Sequence, residues 1–110
     1  EYRTLGVFEN YSLLLVKPVQ GRKHQIRKHF KYVCHPVIGD TTYGKGRDNN
    51  YFRNRFNFHR MALHCLSLAF EHPFTGEKIT VVARPPEDLD ALFSACGLKD
   101  AVVAAIEGLE

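Results

Sequence analysis

The chain has 110 residues, of which 45% are hydrophobic, so it can bury one modest core, and we predict a single domain over residues 1–110. No apolar run approaches the length of a bilayer span and no leader peptide is recognisable, so we expect a cytoplasmic protein without membrane contact. The formal net charge of +3 is mild, but it is the balance of a basic first half and an acidic end.

Strand-forming residues open the chain. Tyr2–Val7 and Tyr11–Val19 have the composition of strands, and the Glu9-Asn10 pair between them suits a tight reversal, so we predict two antiparallel strands. A helix is predicted from Arg22 to Cys34, and Pro36 ends it because the residue before a proline is pushed out of the helical conformation. The predicted apolar face of this helix consists of Ile26, Phe30, Val33 and Cys34.

The rest of the chain contains a loop, a hairpin and two helices. Residues 39–58 lack periodicity and are predicted to form a long surface loop with at most one short helical turn. The hairpin has strands Arg60–Phe70 and Lys78–Ala83, joined by a turn in which Gly76 takes a positive φ. The two helices run from residue 86 or 88 to 95, where Gly97 ends the first, and from 100 to 107 within a tail of residues 98–110. This order predicts an α+β fold with helices packed on a mixed or antiparallel sheet.

Positive charge and aromatic rings share the first half of the chain. Residues 17–60 carry eleven Lys and Arg side chains against two acidic ones, whereas residues 87–110 carry six acidic side chains against one lysine. Aromatic rings are interleaved with the basic residues between positions 30 and 58. This mixture is typical of nucleic-acid surfaces, where cations contact phosphates and rings stack on bases. The alternative, in which most of these rings belong to the core, stays open.

The start of the first predicted helix is a candidate phosphate site. Arg22, Lys23 and the amide of Gln25 lie where backbone N–H groups and the helix macrodipole add positive potential. Lys23, Arg27 and Lys31 share one flank at a spacing where like charges repel, which an anion would offset. The alternative is an ordinary solvated basic face.

Metal and nucleophile chemistry has little support in the sequence. His59, His64 and Cys65 lie close together, but no Cys-x-x-Cys or second ligand pair stands at zinc spacing, so no metal site is predicted. The three cysteines are widely spaced and odd in number, which favours buried thiols over disulfides. Asp40 follows Gly39 in a tight loop, where it either caps the following turn or acts as a general base, and its chemistry favours the cap.

Four motifs follow one another along the chain: Gly-Arg-Lys-His-Gln-Ile-Arg at 21–27, His-Pro-Val-Ile-Gly-Asp at 35–40 with Tyr-Gly at 43–44, Arg-Met-Ala-Leu-His-Cys at 60–65, and Phe-Glu-His-Pro-Phe-Thr-Gly-Glu at 70–77. In order and spacing they resemble the C-terminal half of the RluA-type pseudouridine synthases, above all the members that act on transfer RNA. The resemblance covers about residues 2–97. It implies an enzyme that flips a uridine out of RNA, breaks its glycosidic bond and rejoins the base through carbon, without a metal or an organic cofactor.

The resemblance also implies roles for individual residues. Arg27 matches the active-site arginine that pairs with the catalytic aspartate, and Met61 and Leu63 match apolar residues that line the base pocket. His24 and Gln25 match polar residues that either order the loop or meet a phosphate. Together with the charge pattern, the motifs suggest an RNA-contacting set made of Arg22, Lys23, His24, Gln25, Arg53, Arg55 and Arg60.

The family's catalytic aspartate belongs to an Arg-Leu-Asp motif, and no Arg-Leu-Asp occurs in these 110 residues. We therefore expect this chain to be the C-terminal part of the catalytic domain of a longer synthase, inactive alone. Its expected partners are RNA, chiefly transfer RNA, and the N-terminal part of the same enzyme. The alternatives are a non-catalytic RNA-binding module and a family member that acts on ribosomal RNA.

Overall fold

The computed structural model describes residues 2–18 and 24–109 and shows the predicted α+β fold. Its strands and helices, in chain order, are β1 (Tyr2–Phe8), β2 (Tyr11–Val16), α1 (Gln25–Tyr32), α2 (Gly46–Phe56), β3 (Ser67–Glu71), β4 (Lys78–Val82), α3 (Glu87–Ala95) and α4 (Lys99–Leu109). β1 pairs with β2 and β3 pairs with β4, so these strands form two antiparallel sheets of two strands each. No helix within the described ranges is both long and apolar enough to cross a membrane.

Contacts divide the chain into two compact units. The first contains the residues up to Thr4 and from Leu14 to Leu63, and the second contains Leu5–Leu13 and the residues from His64 onward. Buried side chains in the first unit are Phe30, Asp40, Asn49, Phe52 and Phe58, and those in the second are Leu89, Leu92, Val102, Ala105 and Ile106. Polar residues therefore belong to the core of the first unit. The single domain over residues 1–110 stays a prediction.

Helix α1 ends earlier than its sequence pattern predicts. It covers Gln25–Tyr32 and closes in a Schellman turn, in which Cys34 takes φ 67° and the N–H of His35 donates to the carbonyl of Phe30 at 2.8 Å. The turn interrupts the helical repeat, so Cys34 and Val33 are exposed. Their predicted place on the apolar face is wrong, whereas Phe30 is buried as expected.

Helix α2 occupies residues for which a surface loop was predicted, and that prediction is wrong. The helix spans 11 residues, Gly46–Phe56, and Asn57 ends it with φ 52°. Its inward face holds Asn49 and Phe52, which are buried, and Phe56, which is half-buried. Because one of these three residues is an amide and the rest of the helix is polar, the sequence lacks the apolar stripe that identifies most helices.

The second hairpin is shorter than predicted. β3 covers Ser67–Glu71 and not Arg60–Phe70, because β4 offers ladder partners only from Val82, opposite Ser67, to Lys78, opposite Glu71. The intervening turn has the expected left-handed glycine, with Gly76 at φ 71°. The predicted start of this strand is therefore wrong, while its partner strand and its turn are correct.

One face of this hairpin is apolar and exposed. The register places Leu68 opposite Val81 and Phe70 opposite Ile79, so these four side chains share a face. Leu68, Phe70 and Val81 are 59%, 44% and 50% exposed. A sheet face of this composition is normally covered, because a two-stranded sheet needs another layer for stability.

The two C-terminal helices match the prediction closely. α3 and α4 begin within one residue of the expected positions, and Gly97 separates them with φ 72°. The cysteines do not match, because Cys34 and Cys65 are exposed and Cys96 is half-buried. The expectation of buried thiols is therefore wrong for the first two.

Candidate active site

A tight turn after Gly39 buries one carboxylate. Asp40 is 1% exposed, and its Oδ1 accepts the backbone N–H groups of Thr42 and Tyr43, both at 3.0 Å. The turn is closed by the N–H of Gly44, which donates to the carbonyl of Asp40 at 2.9 Å. The predicted capping role of Asp40 is confirmed.

Helix α1 supplies the countercharge. Arg27 donates from Nε to Oδ2 of Asp40 at 2.7 Å and from Nη2 to Oδ1 at 2.8 Å, and the two side chains are 13% and 0% exposed. The guanidinium carbon lies 5.1 Å from the centroid of the Tyr43 ring, which in turn meets His24 edge-on at 6.0 Å. The two hydrogen bonds to one carboxylate define the plane of the guanidinium, and the Tyr43 ring adds a cation–π contact. Arg27 is therefore held in one orientation.

The pairing shifts both pKa values away from neutrality. The hydrogen bond from Arg27, helped by those from the backbone of Tyr43 and Thr42, holds the pKa of Asp40 well below its usual range, although burial alone would raise it. The hydrogen bond to Asp40 likewise raises the pKa of Arg27. Both groups are thus charged at neutral pH, and the Asp40 carboxylate is a weak base.

Asn49 of α2 fixes the same turn from its other side. Its Oδ1 accepts the N–H of Gly39 at 2.8 Å, and its Nδ2 donates to the carbonyl of Asp40 at 3.0 Å. A Cβ at Gly44 would overlap that carbonyl and lie 3.0 Å from Nδ2, so the close approach requires glycine. The buried amide explains why a polar helix packs here.

The segment that carries Met61 and Leu63 also packs against this turn. The N–H of Ala62 donates to the carbonyl of Ile38 at 2.8 Å. Gly39 has φ 83°, and a Cβ at that position would lie 2.8 Å from the Cα of Met61. Met61 and Leu63 are both half-buried. The structure therefore brings the two predicted pocket residues beside the turn that holds the Arg27 partner.

The arginines predicted to contact RNA differ in exposure. Arg53 and Arg55 are exposed on α2, where Arg53 donates to the side chain of Asn50 at 2.8 Å and Arg55 lies against the hydroxyl and ring of Tyr51. Arg60 is half-buried and donates from Nη2 to the carbonyl of Leu63 at 3.4 Å. The first two are accessible to a ligand, whereas part of the Arg60 guanidinium is engaged within the fold.

The other predicted polar contacts lie at the start of α1. Gln25 is exposed in the first turn, and His24 is half-buried with φ 63°, its ring against Tyr43. These contacts favour an ordering role for His24. The predictions for Arg22 and Lys23 lie outside the described residues.

Tyr43 and Asn49 had no predicted role. Tyr43 belongs to one of the four motifs, but nothing in the sequence indicates that its ring lies beneath a guanidinium. Asn49 could have been found from its i, i+3, i+7 spacing with Phe52 and Phe56, had an amide been allowed on a buried helix face. Among the residues that the structure describes, no group of three or more His, Cys, Asp or Glu side chains is placed to hold a metal ion.

No family model matches the chain. The tRNA pseudouridine synthase C of Vibrio parahaemolyticus is 44% identical to this chain over 84 residues, which are 76% of this chain and 34% of that protein. The same enzyme of Yersinia pestis is 44% identical over 95 residues, or 84% of this chain and 37% of that protein. The chain is homologous to the RluA-type pseudouridine synthases. Ribosomal large subunit pseudouridine synthase D of Haemophilus influenzae is 37% identical over 100 residues, or 86% of this chain and 31% of that protein. The chain thus spans about a third of the length of these synthases.

The buried ion pair should make the stability of this synthase homologue fall in acid. Because the pKa of Asp40 is lower in the folded chain than its ordinary 3.8, the unfolded chain takes up this proton first. The stabilisation is complete above about pH 4 and is lost as the pH falls through the folded pKa. We expect urea midpoints to drop below about pH 4, with Asp40→Asn removing about one proton of that linkage.

Asp90→Asn is the matched control, because it removes an exposed carboxylate 3.4 Å from Lys99. It should leave the acid limb of the stability curve unchanged. An Asp40→Asn curve with the wild-type slope below pH 4 would contradict the assignment.

Proposed function

We propose that this chain is the C-terminal part of the catalytic domain of a cytoplasmic RNA pseudouridine synthase that acts on transfer RNA. The observation that carries the proposal is Arg27, a half-buried guanidinium held in a fixed orientation within a chain that is 44% identical over 84 residues to tRNA pseudouridine synthase C. By the resemblance, Arg27 pairs with the catalytic aspartate of an Arg-Leu-Asp motif that the rest of the protein contributes. The free thiols are in keeping with a reducing compartment.

Arg27 has N–H donors that Asp40 does not use and that can bind the carboxylate of this catalytic aspartate. A guanidinium has five N–H donors, and Asp40 takes two of them, at Nε and Nη2, so three remain. Within residues 2–18 and 24–109 none of these three has a partner. A carboxylate bound across Nη1 and Nη2 would stay ionised, because the neighbouring positive charge lowers its pKa.

The reaction breaks the bond between N1 of uracil and C1′ of the ribose and joins C5 to C1′. The C5 proton then passes to water and N1 takes up a proton from water, so the product is an isomer of the substrate. The flipped base needs an apolar pocket, which Met61 and Leu63 supply beside the Asp40 turn. No step in this scheme uses a cofactor.

The RNA backbone is contacted by the basic residues around this site. Arg53 and Arg55 project from α2 into solvent, and the Tyr51 ring beside Arg55 is a proposed stacking surface. The proposed contact surface also includes Arg60 and the four residues Arg22, Lys23, His24 and Gln25.

Ribosomal RNA is the second candidate substrate, because synthase D of Haemophilus influenzae is 37% identical to this chain. The test is tritium release from 5-labelled uridine in each RNA by the full-length protein. We expect release from transfer RNA and none from the isolated 110-residue chain. Release from ribosomal RNA alone would reassign the substrate, and RNA binding without release would make the protein a non-catalytic RNA-binding module.

Replacing Arg27 should impair turnover far more than binding. Arg27→Lys keeps the charge but loses the planar fork that can hold two carboxylates, so we expect kcat to fall about 100-fold or more. The Kd for transfer RNA should change less than about threefold, which a filter-binding assay can measure. Near-normal turnover, or equal losses of binding and turnover, would contradict this role.

If Arg53 and Arg55 on α2 contact RNA phosphates, RNA binding should depend on salt through them. Each phosphate contact releases counterions, so removing one should lower the slope of log Kd against log salt by roughly 0.7 to 0.9. We expect this for Arg53→Gln and Arg55→Gln in the full-length protein. Leu63→Ala should impair turnover with an unchanged slope. If neither arginine variant alters the slope, α2 is only a solvated face.

The rest of the same protein is the proposed cover for the apolar face of the β3–β4 hairpin. The aligned residues make up only 34% and 37% of two related synthases, so about two thirds of the length of such a protein remains to form another layer. The charged basic surface lies on other elements, and an apolar face made of Leu68, Phe70 and Val81 suits protein packing better than RNA.

Covering this face should make Phe70 important for stability. Phe70→Ser in the full-length protein should lower the free energy of unfolding by about 1.5–3 kcal/mol, the value of burying such a side chain. Phe74 on the adjacent turn is 92% exposed, so Phe74→Ser should change it by less than about 0.5 kcal/mol. Equal effects of both variants in urea denaturation would exclude a covered face.

A further inference from the structure

We propose that Asp40 is a positioning residue for the isomerisation, whose carboxylate fixes the Arg27 guanidinium so that its remaining N–H donors meet the catalytic carboxylate in one geometry. The inference rests on the function proposed above. It gives Asp40 a part in turnover without assigning it any contact with the RNA. Arg27 then bridges two carboxylates, one from the turn in this chain and one from the rest of the protein.

The contacts of Asp40 leave its carboxylate no rotational freedom. Oδ2 accepts Nε of Arg27 at 2.7 Å, and Oδ1 accepts Nη2 at 2.8 Å together with the backbone N–H groups of Thr42 and Tyr43 at 3.0 Å. The backbone bonds orient the carboxylate, and the carboxylate orients the guanidinium. Turning the guanidinium would break two charge-assisted hydrogen bonds at once.

The turn itself is held at several points. Asn49 binds the backbone on both sides of the Gly39–Asp40 peptide unit, at 2.8 and 3.0 Å, and Gly44 donates to the Asp40 carbonyl at 2.9 Å. The Arg27 guanidinium also lies over the Tyr43 ring, with its carbon 5.1 Å from the ring centroid. Support of this kind is what holds a functional group within a fraction of an ångström of its working position.

Stability alone does not account for this arrangement. Burying two charges costs desolvation free energy, and a buried pair is often no more stabilising than apolar residues of similar volume. Asp40 is also unsuited to be the catalytic carboxylate, because four hydrogen bonds engage its oxygens and hold its pKa low. A buried anion that is a poor base and an incomplete partner for Arg27 fits a positioning role.

Asp40→Asn in the full-length protein tests the proposal. Asparagine can keep the two backbone bonds through its Oδ1, but its NH₂ group faces the Nε–H of Arg27 and releases the guanidinium. We expect kcat for tritium release to fall about 100-fold, as for a displaced catalytic group, with KM within about threefold. In the double variant with Arg27→Lys the losses should not add, because both remove the same interaction.

Two controls separate positioning from stability. Leu89→Ala empties part of the core of the second unit, where Leu89 is 2% exposed, and should keep wild-type kcat below its melting range despite lower stability. Asp90→Asn removes an exposed carboxylate and should also keep wild-type kcat. If Asp40→Asn does not fold, Asp40→Glu is tested in its place. The longer side chain keeps the charge but displaces the guanidinium, so kcat should again fall at constant KM.

Wild-type kcat in the Asp40 variants overturns the inference, and so does a loss that Leu89→Ala reproduces or that adds to the loss from Arg27→Lys. A wild-type protein that releases no tritium from either RNA refutes the proposed function, and this inference with it. A wild-type protein that is active, with Asp40 variants equally active, refutes the positioning role alone.

Discussion

The first unit is organised around one buried ion pair, between Arg27 on α1 and Asp40 in the turn before α2. The turn exists in its observed form because the carboxylate accepts two backbone N–H groups, and Asn49 then attaches α2 to the same backbone. The segment of Met61 reaches the turn through the hydrogen bond from Ala62 to Ile38. Without the pair, α1, α2 and the Met61 segment would lose the ordered Asp40 turn that all three contact.

This arrangement explains why glycine is required where α2 and the Met61 segment come closest to the turn. Gly39 has a left-handed conformation, and a side chain there would collide with the backbone of the Met61 segment. Gly44 faces the Asp40 carbonyl at a distance that admits no Cβ. Polar contacts in a core demand short, directional approach, and small residues make that approach sterically possible.

The sequence predicted elements whose signals are local and missed those that depend on tertiary partners. Gly76 and Gly97 mark a turn and a helix end by their own conformational freedom, and both were placed correctly. α2 was missed because a buried amide replaces an apolar residue on its inner face, and the start of β3 was misplaced because pairing depends on the length of β4.

For the site, the capping role of Asp40 followed from its place after Gly39. Its pairing with Arg27 did not, because a link between residues 13 apart on different elements leaves no periodic trace.

The contacts that build the site are close in sequence, and this affects the order in which the protein forms. Arg27 and Asp40 are 13 positions apart, and Asn49 reaches back only 10 and 9 positions to Gly39 and Asp40. Closing loops of this size costs little conformational entropy, and contacts at short separation form early in folding. The guanidinium can therefore reach its position beside Asp40 through local folding of residues 24–49, independently of contacts with more distant parts of the chain.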